Sequence, residues 1–297
     1  MVQRMKVLKI FTLISLFFQL NVTQAGNVSF SSINDQITLF NNGKEQSLII
    51  SGNSESVLID PINKSSTEEV ENYLRQNKKP VITNVIYSHS HWDRLLGSTL
   101  FDTKTHKIIA QSACELYFAK SNNINIKKPN LYFKKQYNIN LEEEQVVLHY
   151  FGPSHGECMV VIEMVRAKIL FIPELVSTNG ASFPKDPTLP FLRPATLELF
   201  FSGLEELIEE KKIESFISGY GDDEIYGSVK IISEQKQFWQ LIHLTAKEAE
   251  ENGLVDINNF IDVEKLDLEK FSEYNNFNKA DLINILRRYT SFLNMGR

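Results

Sequence analysis

The sequence is poor in cysteine and basic charge, and after residue 25 it lacks long apolar runs. Acidic residues outnumber basic ones by 37 to 31, and Lys and Arg form no stripe, which excludes a nucleic-acid binder. No later segment is apolar enough to span a membrane. No internal repeat or low-complexity tract is present. The remaining composition, 42% hydrophobic and 23% charged, is that of one globular domain or one domain with an appendage.

Residues 1–25 have the pattern of a secretory signal peptide. A basic start with Arg4, Lys6 and Lys9 precedes the apolar run "IFTLISLFFQL", and Thr23 and Ala25 are small residues before a cleavage point. The alternative is an uncleaved membrane anchor, for which the apolar run is short. We therefore expect an exported protein, periplasmic or secreted, that is not attached to a membrane after cleavage.

The only two cysteines are Cys114 and Cys158. Export would permit a disulfide between them, but their spacing does not show that they meet. The sequence favours two buried, unpaired thiols over a disulfide. Cys158 lies three residues after His155, and we interpret it as a packing residue rather than a metal ligand.

The order of the predicted elements indicates an α+β protein with two sheets between helices. Short β-rich runs such as "QITLF" and "QSLIIS" come first, and strands then alternate with amphipathic helices. From about residue 229 the sequence predicts helices only. The predicted organisation is a main domain over residues 26–228 and a helical extension over residues 229–297.

The segment "VIYSHSHWDR" contains three candidate metal ligands within five positions. His89, His91 and Asp93 follow the buried strand predicted for "PVITNVIYS". Because side chains two residues apart on an extended backbone point to the same side, both imidazoles can bind one ion.

A third candidate ligand, His155, lies in "YFGPSHGE", directly after another predicted strand. Three histidines from two strand-end loops match the protein side of a catalytic zinc site, in which the fourth position is left for water. The remaining histidines have no partner in the sequence pattern, and we interpret them as surface or core residues.

Over about residues 28–228 these motifs resemble the metallo-β-lactamase fold hydrolases. "SVLIDP", "YSHSHWDR", "GPSH", "AKILFIPELV" and "FISGYG" are similar to five motifs of that superfamily, in the same order. The resemblance implies a four-layer αβ/βα sandwich and a zinc-dependent hydrolase that acts on a small molecule.

The chain departs from the superfamily pattern at the second metal site. Where the family has a histidine after the motif's aspartate, this chain has Arg94; its bridging aspartate corresponds to Glu174, and its last histidine to Tyr220. Asp93 and Glu174 remain as second-site carboxylates, but a phenol with a pKa near 10 is a poor zinc ligand, and the cation of Arg94 repels a second dication. We therefore expect one zinc ion.

The expected reaction is attack by zinc-bound hydroxide on an ester-, thioester-, amide- or phosphoester-like bond. Asp93 would act as general base and Tyr220 would donate a hydrogen bond to the developing oxyanion. Arg94 would either bind a substrate anion or pair with Asp93 or Glu174 and fill the second site. The alternative is a degenerate metal- or ligand-binding protein on the same fold.

The substrate is set by loops that the motifs do not define. "NGASFPKDPTLPFLRP" either lines the entrance or is an ordinary covering loop. As an entrance it would offer Phe183, Phe191 and Leu192 as an apolar wall, with Lys185 or Arg193 as anion contacts. The oligomeric state is left open by the sequence.

Overall fold

The computed structural model describes residues 23–25, 28–43, 45–184, 194–221, 224–256 and 261–295. Apart from residues 23–25, which form a strand, the predicted signal peptide lies outside these ranges. Within them, no helix is both long and apolar enough to cross a lipid bilayer.

Two sheets form the centre of the fold. The first has eight strands in chain order: β1 (Thr23–Ala25), β2 (Val28–Ser32), β3 (Ile37–Asn41), β4 (Gln46–Ser51), β5 (Ser56–Ile59), β6 (Ile82–Ile86), β7 (Lys107–Gln111) and β8 (Leu131–Phe133). The second has six: β9 (Gln136–Asn140), β10 (Gln145–His149), β11 (Val161–Met164), β12 (Ile169–Ile172), β13 (Ser215–Ser218) and β14 (Gly227–Ser228). In the second sheet the spatial order is the reverse of chain order.

In the part of the chain that the structure describes, five α-helices cover the outer faces of the sheets. They are α1 (Lys64–Gln76), α2 (Glu115–Lys120), α3 (Pro194–Lys211), α4 (Lys230–Glu251) and α5 (Lys279–Met295). Asn63 caps α1, because its side-chain oxygen accepts a hydrogen bond from the Ser66 amide at 2.9 Å. Short 3-10 helices span Trp92–Arg94, Leu96–Leu100, Ser112–Cys114, Val263–Lys265 and Glu269–Phe271.

Three apolar clusters show how the layers stack. Along β4, Leu48 and Ile50 enter the cluster between the sheets, whereas Ile49 packs in the cluster beneath α1 and α2. Along β12, Phe171 faces the other sheet, and Leu170 packs in the cluster formed with α3, α4 and α5. This alternation is the period of two expected for strands buried on both faces. The predicted αβ/βα sandwich is therefore confirmed.

The helices of residues 229–297 extend the layer of α3. Phe238 and Ile242 of α4 and Leu286 and Tyr289 of α5 are buried in the same cluster as Phe200 of α3. The C-terminal helices thus pack against the outer face of the second sheet.

Candidate metal centre

The three predicted histidine ligands come from loops of different sheets. His89 and His91 follow β6, which lies between parallel neighbours in the first sheet. His155 lies in the loop that joins β10 to β11 in the second sheet. The sandwich brings these loops together, so the site spans the boundary between the two sheets.

The imidazole rings of His89, His91 and His155 converge on one point. Their ring centroids are 4.6, 4.7 and 5.2 Å apart, and one nitrogen from each ring lies within 4.8 Å of the other two. The Nδ1 atom of His91 is 3.1 Å from the Nε2 atom of His155. Imidazole nitrogens are ligands that zinc prefers, so these three rings could hold one ion.

The polar atoms of this cluster fit a bound metal ion. Among the described residues, the buried Nε2 atom of His89 has no hydrogen-bond partner, and the ring of His155 places its Nε2 atom beside His91 Nδ1. Burial, reinforced by the neighbouring imidazoles and Arg94, holds the pKa of both rings well below the usual histidine value. They are therefore neutral, the form that coordinates zinc.

A buried chain of hydrogen bonds orients His89. Ser88 donates from its amide to Asp60 Oδ1 at 2.8 Å and from its hydroxyl to Oδ2 at 2.5 Å. The Ser88 hydroxyl is also 2.8 Å from His89 Nδ1. Since the hydroxyl proton goes to Asp60, His89 Nδ1 must be the donor in this contact, which leaves Nε2 free for a metal.

Asp60 and Ser88 are not among the site residues predicted from the sequence. The available signals were the aspartate that ends "SVLID" and the serine directly before the first histidine. Burial raises the pKa of Asp60 to about 6, although Arg94 and the Ser88 hydrogen bonds favour its charged form.

Arg94 is enclosed by acceptors from both sheets. Its Nη1 atom donates to the carbonyl oxygens of Gln46 at 3.2 Å and Gly219 at 2.9 Å. Its Nη2 atom donates to Glu174 Oε1 at 2.9 Å and to the Pro173 carbonyl at 3.4 Å. Only 1% of Arg94 is exposed. Arg94 was predicted either to bind a substrate anion or to pair with Asp93 or Glu174. In the structure it pairs with Glu174.

This enclosure requires close approach of two backbone segments. A Cβ atom at Gly219 would come within 2.3 Å of the Pro173 carbonyl oxygen. Any other residue at position 219 would therefore force apart two of the carbonyl groups that accept hydrogen bonds from Arg94.

Glu174 and Tyr220 occupy the region where the second metal site was expected. The Tyr220 hydroxyl donates to Glu174 Oε2, and the same oxygen is 3.9 Å from His155 Nε2. Burial raises the pKa of Glu174 to about 7, against the opposing effects of Arg94 and Tyr220. Burial opposes the charge of Arg94, but Glu174 and Asp60 outweigh it and raise its pKa. Because Tyr220 uses its proton on Glu174, its role as an oxyanion donor stays a prediction.

Asp93 lies in the 3-10 turn after His91 and is half-buried. Its charge is close enough to raise the pKa of Asp60 and Glu174. Among the described residues, the group with ligand atoms in mutual reach contains the three histidines and neither Asp93 nor Glu174. The roles of Asp93 as base and of both carboxylates as ligands stay predictions.

The two cysteines form a disulfide, so the expectation of unpaired thiols is wrong. Cys114 and Cys158 are bonded, with their Cα atoms 5.6 Å apart. The bond joins the segment after β7 of the first sheet to the loop that carries His155. Neither sulfur is available as a metal ligand.

The loop after Glu174 does not supply the whole apolar wall that we considered. Phe183 is 2% exposed and packs against Phe238 and Phe277, with ring centroids 4.9 and 5.6 Å away. It is therefore largely buried, and it also borders the small cavity beside His155 and Glu174. The other four candidates of this loop lie outside the described residues: Lys185, Phe191, Leu192 and Arg193.

The remaining histidines lie outside the cluster of possible ligands. His149 is 2.7 Å from Glu163, and His106 is 3.0 Å from the carbonyl oxygen of Asp102. The first contact joins the adjacent strands β10 and β11, and the second lies within one turn. His243 lies on α4.

Comparisons with known proteins agree with this geometry. Residues 42–172 match the model of the family described as "Metallo-beta-lactamase superfamily". No curated protein sequence is significantly similar to the chain.

Solved structures of metallo-β-lactamases share the fold. The enzyme from Pontibacter korlensis aligns with a TM-score of 0.58 at 20% identity, over 75% of this chain and 99% of its own. FIM-1 from Pseudomonas aeruginosa, in its mono-zinc form, aligns with a TM-score of 0.60 at 14% identity, over 72% of this chain and 95% of its own.

A similar structure of another activity matches more of this chain. The sec-alkylsulfatase Pisa1 from Pseudomonas sp. aligns with a TM-score of 0.63 at 15% identity, over 90% of this chain and 50% of its own. The order of the strands, the three convergent histidines and the matching family model together lead to one assignment. The chain has the metallo-β-lactamase fold, and its residues 42–172 match the model of the metallo-β-lactamase superfamily.

Proposed function

We propose that the protein is an exported, mononuclear zinc hydrolase that acts on a small molecule. The observation that carries this proposal is the convergence of His89, His91 and His155. Ser88 contacts the Nδ1 atom of His89, and the buried Nε2 atom of the same ring has no hydrogen-bond partner among the described residues. The family relationship supports a hydrolase. The basic and apolar start of the sequence supports export.

These three histidines would hold the zinc ion. When bound, zinc supplies Lewis-acid polarisation of the scissile group and lowers the pKa of a water molecule. Asp93, half-buried beside His91, is the carboxylate that orients this water and accepts its proton. Asp60 and Ser88 hold the His89 ring in the tautomer that presents Nε2.

Substrate would reach the metal site from the side of His91 and Trp92. His91 is half-buried, whereas Trp92 is 59% exposed. An exposed indole next to a metal ligand offers an apolar face on which a planar or aliphatic part of a substrate can rest. Ester, thioester, amide and phosphoester bonds all remain candidates for the cleaved bond.

The proposal of one metal ion rests on Arg94. Its guanidinium and its hydrogen-bonded partners Glu174, Gly219 and Gln46 fill the position next to the histidines. A second dication would have to displace a buried cation from its carboxylate, which electrostatics opposes strongly. The mono-zinc form of FIM-1 is a precedent for one ion on this fold.

A binding protein without turnover is the second candidate. The observation that favours it is the same closed arrangement of Arg94, Glu174 and Tyr220, since a site that lacks its second metal also lacks that metal's contribution to catalysis.

Two measurements test these proposals. Metal analysis of purified protein loaded with zinc should give one zinc per chain; two would overturn the argument from Arg94, and none would overturn the zinc site. Hydrolysis should then be assayed on simple esters, thioesters, lactams, lactones and phosphoesters. Turnover that disappears in His89→Ala supports the enzyme, whereas zinc binding without turnover of any of these compounds supports the binding protein.

A further inference from the structure

A cavity lies among α3, α4 and α5, the helices on the outer face of the second sheet. It is separate from the histidine cluster. It has a volume of about 460 Å³, within the range of pockets that bind small molecules. Its walls are apolar: Leu197 and Phe201 come from α3, and Tyr289 and Leu293 from α5. None of the predicted site residues that the structure describes lines it.

One face of α4 forms the remaining wall. The lining residues of α4 have the spacing of a single helical face: Lys236, Trp239, Gln240, His243 and Leu244. Trp239 is 4% exposed. Among the described residues, its indole Nε1 atom and the Nδ1 atom of His243 are buried without a hydrogen-bond partner.

These two unpaired nitrogens point to a ligand with an oxygen atom. An indole N–H can only donate, and an imidazole nitrogen can donate or accept. Because they are four residues apart on one face, a single acceptor group in the cavity can approach both. Buried polar atoms without partners are uncommon in folded proteins, and a bound ligand is one way in which they are satisfied.

The charges around the cavity favour a neutral ligand. Among the described residues, the lining contains one Lys or Arg side chain, Lys236, which is paired with Glu205 at 2.7 Å. Glu205 also accepts from the Ser233 hydroxyl at 2.8 Å. Glu198 lines the cavity as an exposed carboxylate, so the lining offers an anion more repulsion than attraction.

We propose that this cavity binds an uncharged, chain-like apolar molecule that carries one oxygen acceptor, the chemistry of a fatty alcohol or acyl ester. The chain lies against the apolar side chains of α3 and α5. Its oxygen accepts from Trp239 and contacts His243. The proposal is independent of hydrolysis, because it uses no residue of the histidine cluster.

Trp239 makes the test direct, because the chain has only one other tryptophan, Trp92. In a Trp92→Phe background all indole fluorescence comes from Trp239. We expect a saturable fluorescence change with 1-decanol and binding of decanoate that is at least tenfold weaker. No saturable change with 1-decanol would overturn the proposal, and equal or tighter binding of decanoate would overturn the assignment of a neutral ligand.

Matched variants locate the binding. Ala195 lines the cavity and is exposed, so Ala195→Phe narrows the cavity without crowding the core. It should weaken 1-decanol binding at least tenfold. Leu199, one turn further along α3 and 65% exposed, is the control: Leu199→Phe should leave binding unchanged. Equal weakening in both variants would contradict the assignment.

A last variant separates this cavity from the metal centre. Trp239 also borders a small cavity beside His155 and Glu174, so a ligand at the histidines could affect its fluorescence. His89→Ala should leave 1-decanol binding intact. Loss of binding in a folded His89→Ala protein would place the ligand at the histidines and overturn the inference.

Discussion

The Nη2 atom of Arg94 lies 2.9 Å from Oε1 of Glu174, and the two side chains are 2% and 6% exposed. The resemblance to the metallo-β-lactamase fold hydrolases implies a second metal ion in this region, and here the guanidinium of Arg94 supplies a positive charge. The guanidinium is part of the chain, so it cannot dissociate as a bound metal ion can. Its N–H groups donate their hydrogen bonds to protein oxygen atoms.

Removing Arg94 should destabilise the fold. Arg94→Met leaves Glu174 buried without its cation, and we expect the free energy of unfolding to fall by about 3–5 kcal/mol. Urea denaturation measures the change. The double variant Arg94→Met/Glu174→Gln should lose less than the single variant, since no unpaired charge is buried. A single variant within about 1 kcal/mol of the unmodified protein would contradict the pairing.

Zinc should stabilise the protein through the three histidines. At a free zinc concentration 100 times the Kd, we expect the free energy of unfolding to rise by about 2.7 kcal/mol. Thermal unfolding with and without zinc measures this shift. His89→Ala should abolish it, while His106→Ala, a histidine outside the cluster, should preserve it. A shift that survives in His89→Ala would place zinc elsewhere.

Asp60→Asn should weaken zinc binding without unfolding the protein. The asparagine amide donates where the carboxylate accepted, so Ser88 no longer fixes the Nδ1 proton of His89. Loss of such an orienting partner reduces metal affinity by about 10- to 100-fold. Competition with a zinc-binding dye measures the affinity. Thr290→Ala, which removes a buried hydroxyl of α5 that bonds to the Leu286 carbonyl, is the control.

The stability of the metal-free protein should depend on the protonation of Asp60. Its pKa is about 6 in the folded protein and 3.8 ordinarily, so the folded state binds the proton more tightly. Asp60 therefore adds stability at pH 4 that is lost as the pH rises through 6, on the order of 3 kcal/mol. Urea denaturation from pH 4 to 7 should show this loss relative to Asp60→Asn. Parallel profiles for the two proteins would contradict it.

Breaking the disulfide should weaken both the fold and the metal site. Cys114 and Cys158 are separated by 44 positions, and a closed loop of this length contributes about 4 kcal/mol in the chain-entropy account. Cys114→Ser/Cys158→Ser should lose stability of this order by urea denaturation. Its zinc affinity should also fall, because Cys158 anchors the loop of His155. Unchanged stability would contradict the structural role.

The histidine site could be predicted from the sequence because its signals are local. His89 and His91 follow a recognisable buried strand, and His155 follows another. The sequence therefore predicts that all three histidines lie just after the ends of strands. Arg94, Glu174 and Tyr220 differ from the superfamily pattern. These differences could also be identified from the sequence, because each falls at a defined position of a motif.

The pairings within the site could not be predicted in the same way. Whether Arg94 would bind a substrate anion or Glu174 depended on the direction of a long side chain, which carbonyl groups from both sheets decide. The disulfide was missed because Cys114 and Cys158 meet only after the two sheets stack. Phe183 borders the cavity beside His155 as considered, but its packing against Phe238 of the C-terminal helices could not be predicted.

The position of the three histidines has a mechanical consequence. Two of them move with one sheet and the third with the other, so sliding the sheets by a single residue, about 3.3 Å, would break the coordination sphere. An ion bound there would lock the register of the two halves. Resistance to proteolytic or mechanical separation of the halves should therefore rise and fall with metal occupancy, even in the complete absence of substrate.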